Sequence, residues 1–562
     1  MTRNGVASFA ELWARAVERH GTRPFLTFEA PDRTVTDWSY GEFDALTARV
    51  AATLVDAGVG PNSPVHLALT NSPAFVATWI AATRLGAAIV PSDPMATVAE
   101  LADHLQRTRP AVGLCSPARA DTYRAAASSA SRQVVVDAAP SDFALSDFVV
   151  IKVDEADAVL GALTHADPIE MSHPIDPLAR ASVMFTSGTT GRPKGVVITQ
   201  ANYAFAGTTM AAVADLGPDD RQLVVLPMFH ANAQYYSFAS AIAVGASVAL
   251  MHTFSASGFV AQAARHRATH ASLFAGPMRM ILARGGPVDP DGPQLHLRHC
   301  WFAQNLATDQ YETLSEWFGC RPRQLYGMTE TIAAVLTDRP EDPRPDTMGD
   351  VTRGCAVDVV DAEGGSCRPG QVGEIVVGGR RGIELFAEYL DDPSTTEASF
   401  RDGWLSTGDR AWRDDDGRFH FDGRRADVLK VSGENVSVVE IESALTEHPA
   451  VLDAVVVGAP DQVRDEVPVA FVVPAASPGV GIIDDPEELA AFIAELTAWA
   501  ESRLGKAKRP HRYEVVADLP RTSVGKIRKF LLTDAARRSA DAPVPTPTPT
   551  LTLNAPSSEA ST

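Results

Sequence analysis

The chain holds little of what disulfide scaffolds, zinc proteins, nucleic-acid binders and membrane proteins require. Its five cysteines, Cys115, Cys300, Cys320, Cys355 and Cys367, are scattered through 562 residues with no C-x-x-C pair. That excludes a disulfide framework and fits free thiols in a reducing cytoplasm. Fourteen histidines show no H-E-x-x-H or comparable spacing, so no structural metal is expected. Basic residues are outnumbered, 49 against 70 acidic, for a formal net charge of −21. Nucleic acid would need a concentrated basic face and is not expected as a partner, whereas a nucleotide needs only a few local donors. Met1–Thr22 carries Glu11, Arg15, Glu18 and Arg19 in place of an apolar segment, which excludes a signal peptide there. The apolar run from Ala239 to Met251 is too short to span a bilayer. The expectation is a soluble cytoplasmic protein without membrane insertion.

What is present is an alternation of short apolar runs with helical segments. Phe9, Leu12, Trp13, Ala16 and Val17 recur at helical spacing and predict a helix over 9–20. Val65–Leu69 leads into an apolar helix over 75–85 and then Ala88-Ile89-Val90, while Leu223–Pro227 and Ser247–Leu250 read as further buried strands. This pattern predicts an α/β fold with parallel-rich sheets flanked by helices. A chain of 562 residues exceeds a single core and should divide. The texture changes near Asp422-Gly423-Arg424-Arg425. Beyond it, a helix over 438–447, strands over 454–457 and 469–473 and a helix over 486–504 predict a small α+β domain. The expected division is 1–425, 426–538 and a Pro/Thr/Ser tail over 539–562, whose composition cannot form a core.

The densest local signal is Thr186-Ser187-Gly188-Thr189-Thr190-Gly191-Arg192-Pro193-Lys194-Gly195, directly after the apolar run Ala181–Phe185. Glycines let backbone N–H groups turn inward around an anion, hydroxyls donate to phosphate oxygens, and the lysine adds a point charge. The segment reads as a phosphate clamp at the end of a strand, though Gly/Ser/Thr clusters also make plain surface loops. The Walker spacing G-x-x-x-x-G-K-[ST] is absent. Four further signatures follow in order. Gln324–Thr331 ends a strand in Tyr326-Gly327 and then offers Met328, Thr329 and Glu330. Trp404–Asp409 contains Thr407-Gly408-Asp409, which taken alone is a tight-turn pattern. Gly423-Arg424-Arg425-Ala426-Asp427 precedes Lys430-Val431-Ser432-Gly433-Glu434, and Leu519–Lys529 contains Gly525-Lys526.

These five signatures together resemble adenylate-forming enzymes, the superfamily of acyl-CoA synthetases, firefly-type luciferases and peptide-synthetase adenylation domains. The resemblance covers essentially the whole folded chain. It implies a large N-terminal domain with a small distorted barrel and a small mobile C-terminal domain. It implies ATP, Mg²⁺ and coenzyme A as reactants, with a small-molecule carboxylic acid as the remaining partner. In the family's pattern Thr186 to Lys194 hold phosphates, Thr329 contacts the α-phosphate and Glu330 helps hold Mg²⁺. Asp409 accepts from the ribose hydroxyls, Arg424 pairs with the nucleotide, and Tyr326, Gly327, Met328, Gln304 and Asn305 border it. Lys526 neutralises charge during adenylation, and Gly433, with Lys430 and Ser432, lines the pantetheine path. His230 matches an aromatic gate, and Ala231, Asn232, Gly276, Leu325, Gly327 and Ile332 are candidates for the acyl pocket. Glu440 and Glu442, on the following helix, read as solvated or capping charges.

Tyr326–Ile332 with Asp338-Arg339-Pro340, preceded by Asn305-Leu306 and Asp309-Gln310, looks most like carnitine/crotonobetaine-type acid–CoA ligases. Tyr235, Tyr236, Trp301 and Phe302 could cage a trimethylammonium group, but core or a pocket for a bulky apolar acid is the preferred reading. The chain departs from the family at Ala303-Gln304-Asn305, where Gly-Ala-Pro is usual, at the hinge residue Ala426, and at Glu388-Tyr389 in place of Gly-Tyr. The expected activity is acid–CoA ligation through an acyl-adenylate. The departures leave room for a variant that only converts supplied acyl-AMP and coenzyme A. A non-catalytic adenylate-binding regulator is disfavoured by the intact Thr329, Glu330, Asp409, Arg424 and Lys526. The sequence leaves a homodimer open.

Overall fold

The computed structural model describes residues 6–130, 135–136, 148–157, 159–169, 174–186, 193–304, 306–424, 428–431, 434–461, 464–475, 485–521 and 527–540. The opening helix forms where its periodicity placed it, Phe9–His20, because Ser8 and Glu11 close a capping box around its first turn. Phe9, Leu12 and Trp13 then bury its apolar face.

Two large sheets carry the chain up to the site. One has nine strands, with Arg323–Tyr326, His299–Phe302, His270–Ser272, Arg221–Val224, Ser247–Met251 and Pro24–Glu29 running parallel through its centre. Antiparallel pairs close both edges, Leu336–Thr337 on one side and Val35–Ser39 on the other. The second sheet has eight strands, centred on the parallel neighbours Ala88–Pro91, Pro64–Ala68 and Val112–Cys115. Its far edge departs from the parallel expectation. Arg180–Thr186 and Lys194–Thr199 pair antiparallel as a hairpin, and Glu388–Tyr389 adds to them antiparallel again. A hairpin needs no crossover, so the phosphate motif links two neighbouring strands instead of leading from a strand into a helix.

Five antiparallel strands form a half-barrel from Ala356–Val360, Gly373–Gly378, Trp404–Arg413, Phe400–Arg401 and Phe419–Arg424. The small C-terminal domain folds round a second five-stranded sheet whose centre is the long pair Val451–Asp461 and Asp465–Pro474. Alternation decides its two faces. Ala454, Val456, Ala470 and Val472 pack under the helices Val438–Thr446 and Pro486–Arg503, while Val455, Val457, Val469 and Phe471 meet Leu532 and Ala536 of the Lys529–Ala540 helix. Glu442, expected to be a solvated or capping charge, is instead tied to the sheet and the last helix. It is 19% exposed, accepts from the Val456 N–H at 2.9 Å and pairs with Lys529 at 3.1 Å, fastening helix to sheet. Glu440 is half-exposed and pairs with Lys508.

All five cysteines are free thiols. Among the described residues no helix is long and apolar enough to cross a membrane. The Ala239–Met251 run is broken by Gly245, in left-handed backbone, into the end of a helix and the strand Ser247–Met251.

Candidate active site

The hairpin formed by Arg180–Thr186 and Lys194–Thr199 is gripped at both feet. Thr186 stands opposite Lys194 in the register, and the Phe185 ring stacks on His104 at 4.0 Å. Arg107 also lies over that ring, 4.7 Å from its centre, and donates to the Pro193 carbonyl at 2.7 Å. Behind them runs a buried polar chain that sequence reading missed. The Ser92 hydroxyl contacts His104 Nδ1 at 2.7 Å and His66 Nε2 at 2.9 Å, and His66 Nδ1 meets the Tyr123 hydroxyl at 2.5 Å. Burial pushes the His104 imidazole down to about 4, against the pull of Asp103 and Glu100, so the ring is neutral at physiological pH. Ser187, Gly188, Thr189 and Thr190 lie outside the described residues.

The Arg323–Tyr326 strand delivers the second motif to the same place. Its Tyr326 hydroxyl donates to Asp409 Oδ2 at 2.7 Å, and Arg424 Nε donates to Asp409 Oδ1 at 3.0 Å. Asp409 and Arg424 are register partners on adjacent half-barrel strands, so the sheet itself sets their spacing. Thr407-Gly408-Asp409 is a bulge within the Trp404–Arg413 strand and not a turn. Gly408 takes φ +74°, which a residue with a side chain would adopt only under strain, and this turns Asp409 inward. Thr407 Oγ1 accepts from the Asp409 N–H at 3.1 Å and donates to the Ile375 carbonyl at 2.7 Å. Burial first, then the neighbouring Asp409 charge, raises the Tyr326 phenol well above its ordinary value and keeps it a donor.

After Tyr326 the chain passes close to other backbone. A Cβ on Gly327 would stand 2.9 Å from the Tyr236 hydroxyl and 3.0 Å from the Ala333 carbonyl. Thr329–Thr331 then forms a single 3₁₀ turn, tightened by the Met328 N–H donating to Thr331 Oγ1 at 2.9 Å. Glu330, 5% exposed, accepts from the Tyr389 hydroxyl at 3.0 Å, and its carbonyl accepts from the Phe386 N–H at 2.9 Å. Tyr389 completes the arrangement, because Lys194 Nζ sits 4.6 Å over its ring. The only sequence signal for Tyr389 was its place beside the departure at Glu388. Ile332, fully buried, holds φ +66° and ψ −74°, a real strain for a β-branched residue, costing roughly 1–3 kcal/mol.

The acyl-pocket candidates come from three elements. His230 lies beside Phe229 at 4.5 Å between ring centroids, and half-buried Ala231 leads into a π-helix, Asn232–Ala239. π-turns gather at functional sites. Asn232 is 5% exposed, and both its amide nitrogen and its amide oxygen lack a hydrogen-bond partner among the described residues. Tyr236, four residues on and on the same side of this helix, reaches Gly327. Leu325 and Ile332 are buried beside it in the same core, while Gly276 enters from the buried start of the Ala275–Arg284 helix. Tyr235, Trp301 and Phe302 belong to the core. Tyr235 packs edge-on against Tyr203, Trp301 lies under Arg323, and Phe302 meets Tyr311.

At the departure Ala303-Gln304-Asn305, Gln304 is exposed and takes φ +76°, a conformation glycine enters more readily. Its carbonyl accepts from Gln324 Nε2 at 3.4 Å. Asn305, Ala426, Ser432, Gly433 and Lys526 lie outside the described residues, and Lys430 is placed by its backbone on the strand Val428–Val431.

The family profile described as AMP-binding enzyme matches residues 13–390, and that described as AMP-binding enzyme C-terminal domain matches residues 440–526. The crotonobetaine/carnitine–CoA ligase of Salmonella paratyphi A is 32% identical over 532 residues, covering 93% of this chain and 98% of that enzyme. The anthranilate CoA ligase AuaEII, solved with anthranoyl-AMP, has the same fold, with TM-score 0.81 at 24% identity over 96% of this chain and 98% of that one. MatB from Rhodopseudomonas palustris, 25% identical, superposes with TM-score 0.78 when ATP-bound and 0.71 when apo, each over 94% of this chain and 98% of MatB. With a profile spanning most of its length and a relative aligned almost from end to end, this chain belongs to the AMP-binding enzyme family, among the AMP-forming acid–CoA ligases.

Proposed function

We propose that the protein activates a bulky, largely apolar carboxylic acid with ATP and passes the acyl group to coenzyme A. One observation carries this reading. Lys194, Tyr389 and Glu330 form one run of contacts and Tyr326, Asp409 and Arg424 another, joined through the five-residue turn from Tyr326 to Glu330. Four motifs remote in sequence are thus joined in one set of contacts. In the first half-reaction an oxygen of the acid's carboxylate attacks the α-phosphorus, and the bond to pyrophosphate breaks. A carboxylate has no proton to remove, so positioning and charge neutralisation carry the step. Asp409 would accept from the ribose hydroxyls, Arg424 would steady the nucleotide, and Thr186 with Lys194 would face the outer phosphates. Lys526 would offset charge where carboxylate and α-phosphate meet. In the second half-reaction the thiol sulfur attacks the acyl carbon, AMP leaves, and the thiol proton passes to solvent.

Magnesium would arrive with ATP. No group of three His, Cys, Asp or Glu able to hold an ion occurs among the described residues. One buried carboxylate, Glu330, fits a cation that takes most of its ligands from phosphate and water. When bound, the ion polarises the phosphates.

We place the domain boundary near residue 425 and read the small domain as turning there between the half-reactions, withdrawing Lys526 and presenting Gly433. The unpartnered Asn232 amide supports an acid that carries a polar group on its apolar frame, since an unmet buried amide is costly. Acid-dependent pyrophosphate release from Mg·ATP, across carnitine-like, fatty, aromatic and polycyclic terpenoid-type acids, tests the reading. Release identifies the acid. No release from a folded protein that still converts synthetic acyl-AMP and coenzyme A to thioester would mean that only the second step is performed.

A further inference from the structure

The small domain meets the large one through a buried carboxylate that the mechanism above does not use. Asp453, on the Val451–Asp461 strand, is 3% exposed. Its Oδ1 accepts from Arg279 Nη1 of the large domain at 2.9 Å, and its Oδ2 accepts from Arg521 Nη2 of its own domain. Next to it the Leu452 carbonyl accepts from Gln310 Nε2 of the Thr308–Phe318 helix at 3.5 Å. Arg521 is bridged antiparallel to Ile527, so it anchors the base of the segment that carries Lys526. Arg279 stands on the same helix as Gly276, one turn further on.

We propose that Asp453 and Arg279 form a latch that docks the small domain for acyl-adenylate formation and must release before thioester formation. The proposal rests on the two-position reading given above. The chemistry suits a contact that is repeatedly made and broken. Stranding a buried charge is strongly unfavourable, but Asp453 keeps Arg521 whether or not Arg279 is present, and Arg279 withdraws to water. The inter-domain arm is therefore reversible while the intra-domain arm is permanent. The chain as a whole superposes more closely on ATP-bound than on apo MatB, with TM-scores of 0.78 and 0.71. Because Arg279 and Gly276 share one helix, filling the acyl pocket can reach the latch through a single rigid element.

Two variants test the latch with whichever acid gives pyrophosphate release. Arg279→Gln removes the inter-domain arm on Asp453 and leaves the Arg521 arm in place, and Asp453→Asn weakens both. Each is assayed for acid-dependent ATP–pyrophosphate exchange and, separately, for thioester formation from the matching acyl-AMP and coenzyme A. Exchange should fall about tenfold or more, as expected when a buried charge pair loses one partner. Thioester formation should hold or rise. An equal fall in both half-reactions of Arg279→Gln, or unchanged exchange, overturns the latch. Lys526→Ala, run in parallel, separates the two ideas. If it leaves exchange intact, the two-position reading itself fails. If it abolishes exchange while Arg279→Gln does not lower it, the latch alone is wrong.

Discussion

Asp409 and Asp453 are both buried carboxylates, with side chains 6% and 5% exposed, and each is held by arginine. Their partners differ in kind. Asp409 takes Tyr326 and Arg424 from one domain, the second across adjacent strands in fixed register. Asp453 divides its oxygens between two domains. One acid is built to stay where it is throughout the reaction, and the other is built to let go. The proposed nucleotide wall is thus preorganised by the sheets, whereas the proposed docking of the small domain rests on a few reversible contacts.

The comparison breaks most clearly at Asp409. Replacing Asp409 with alanine removes the acceptor for ribose and leaves Tyr326 and Arg424 without it. Because the adenylate stays bound through both steps, both half-reactions should drop, each by roughly 100-fold or more. Exchange and acyl-AMP conversion measured side by side check this, and a normal second step would remove the ribose role. Next in size is Glu330→Gln. The outer phosphates leave with the first step, so exchange should slow by roughly 100-fold while acyl-AMP conversion stays near the wild-type rate. Tyr389→Phe is milder, since it deletes one donor to Glu330 and keeps the ring beneath Lys194. A rise in KM for Mg·ATP of about tenfold is expected, consistent with one lost hydrogen bond to a charged group. An unchanged KM would mean that Tyr389 only fills space.

Much of this was legible in the sequence, for a physical reason. The family resemblance was legible because Thr186–Lys194, Tyr326–Glu330 and Thr407–Asp409 each pack unusual residue types into a short stretch of chain, and the family matches bear that resemblance out. Helices and buried strands were found to within a few residues because burial enforces their periods. What stayed hidden depends on long-range pairing. Tyr389 reaches Glu330 across 59 residues, and Asp453 reaches Arg279 across 174, with nothing local to mark either. Gly408 read as a turn because a bulge uses the same residue types, and only the neighbouring strand shows which one is present. The hairpin under the phosphate motif escaped because its strands are short and apolar like their parallel neighbours.

The buried histidines give the smallest effect at neutral pH and the one that depends on acid. His104 braces Phe185 at the foot of the phosphate hairpin while neutral, its pKa lowered from 6.5 to about 4 by burial. A histidine of the unfolded chain binds its proton near pH 6.5, before the folded one does. The folded state therefore loses stability as pH falls through the window from 6.5 to 4, and the contribution is complete above it. Down to pH 5 this amounts to about 2 kcal/mol from His104. His66, also shifted down by burial, adds in the same direction. His104→Asn leaves Ser92 a polar partner but no group that titrates there. Melting temperatures followed from pH 7 to pH 5 should therefore fall less steeply in the variant than in the wild type. Parallel curves would show that His104 does not carry the acid sensitivity, and that the hairpin's foot is held by Arg107 and Pro193 without it.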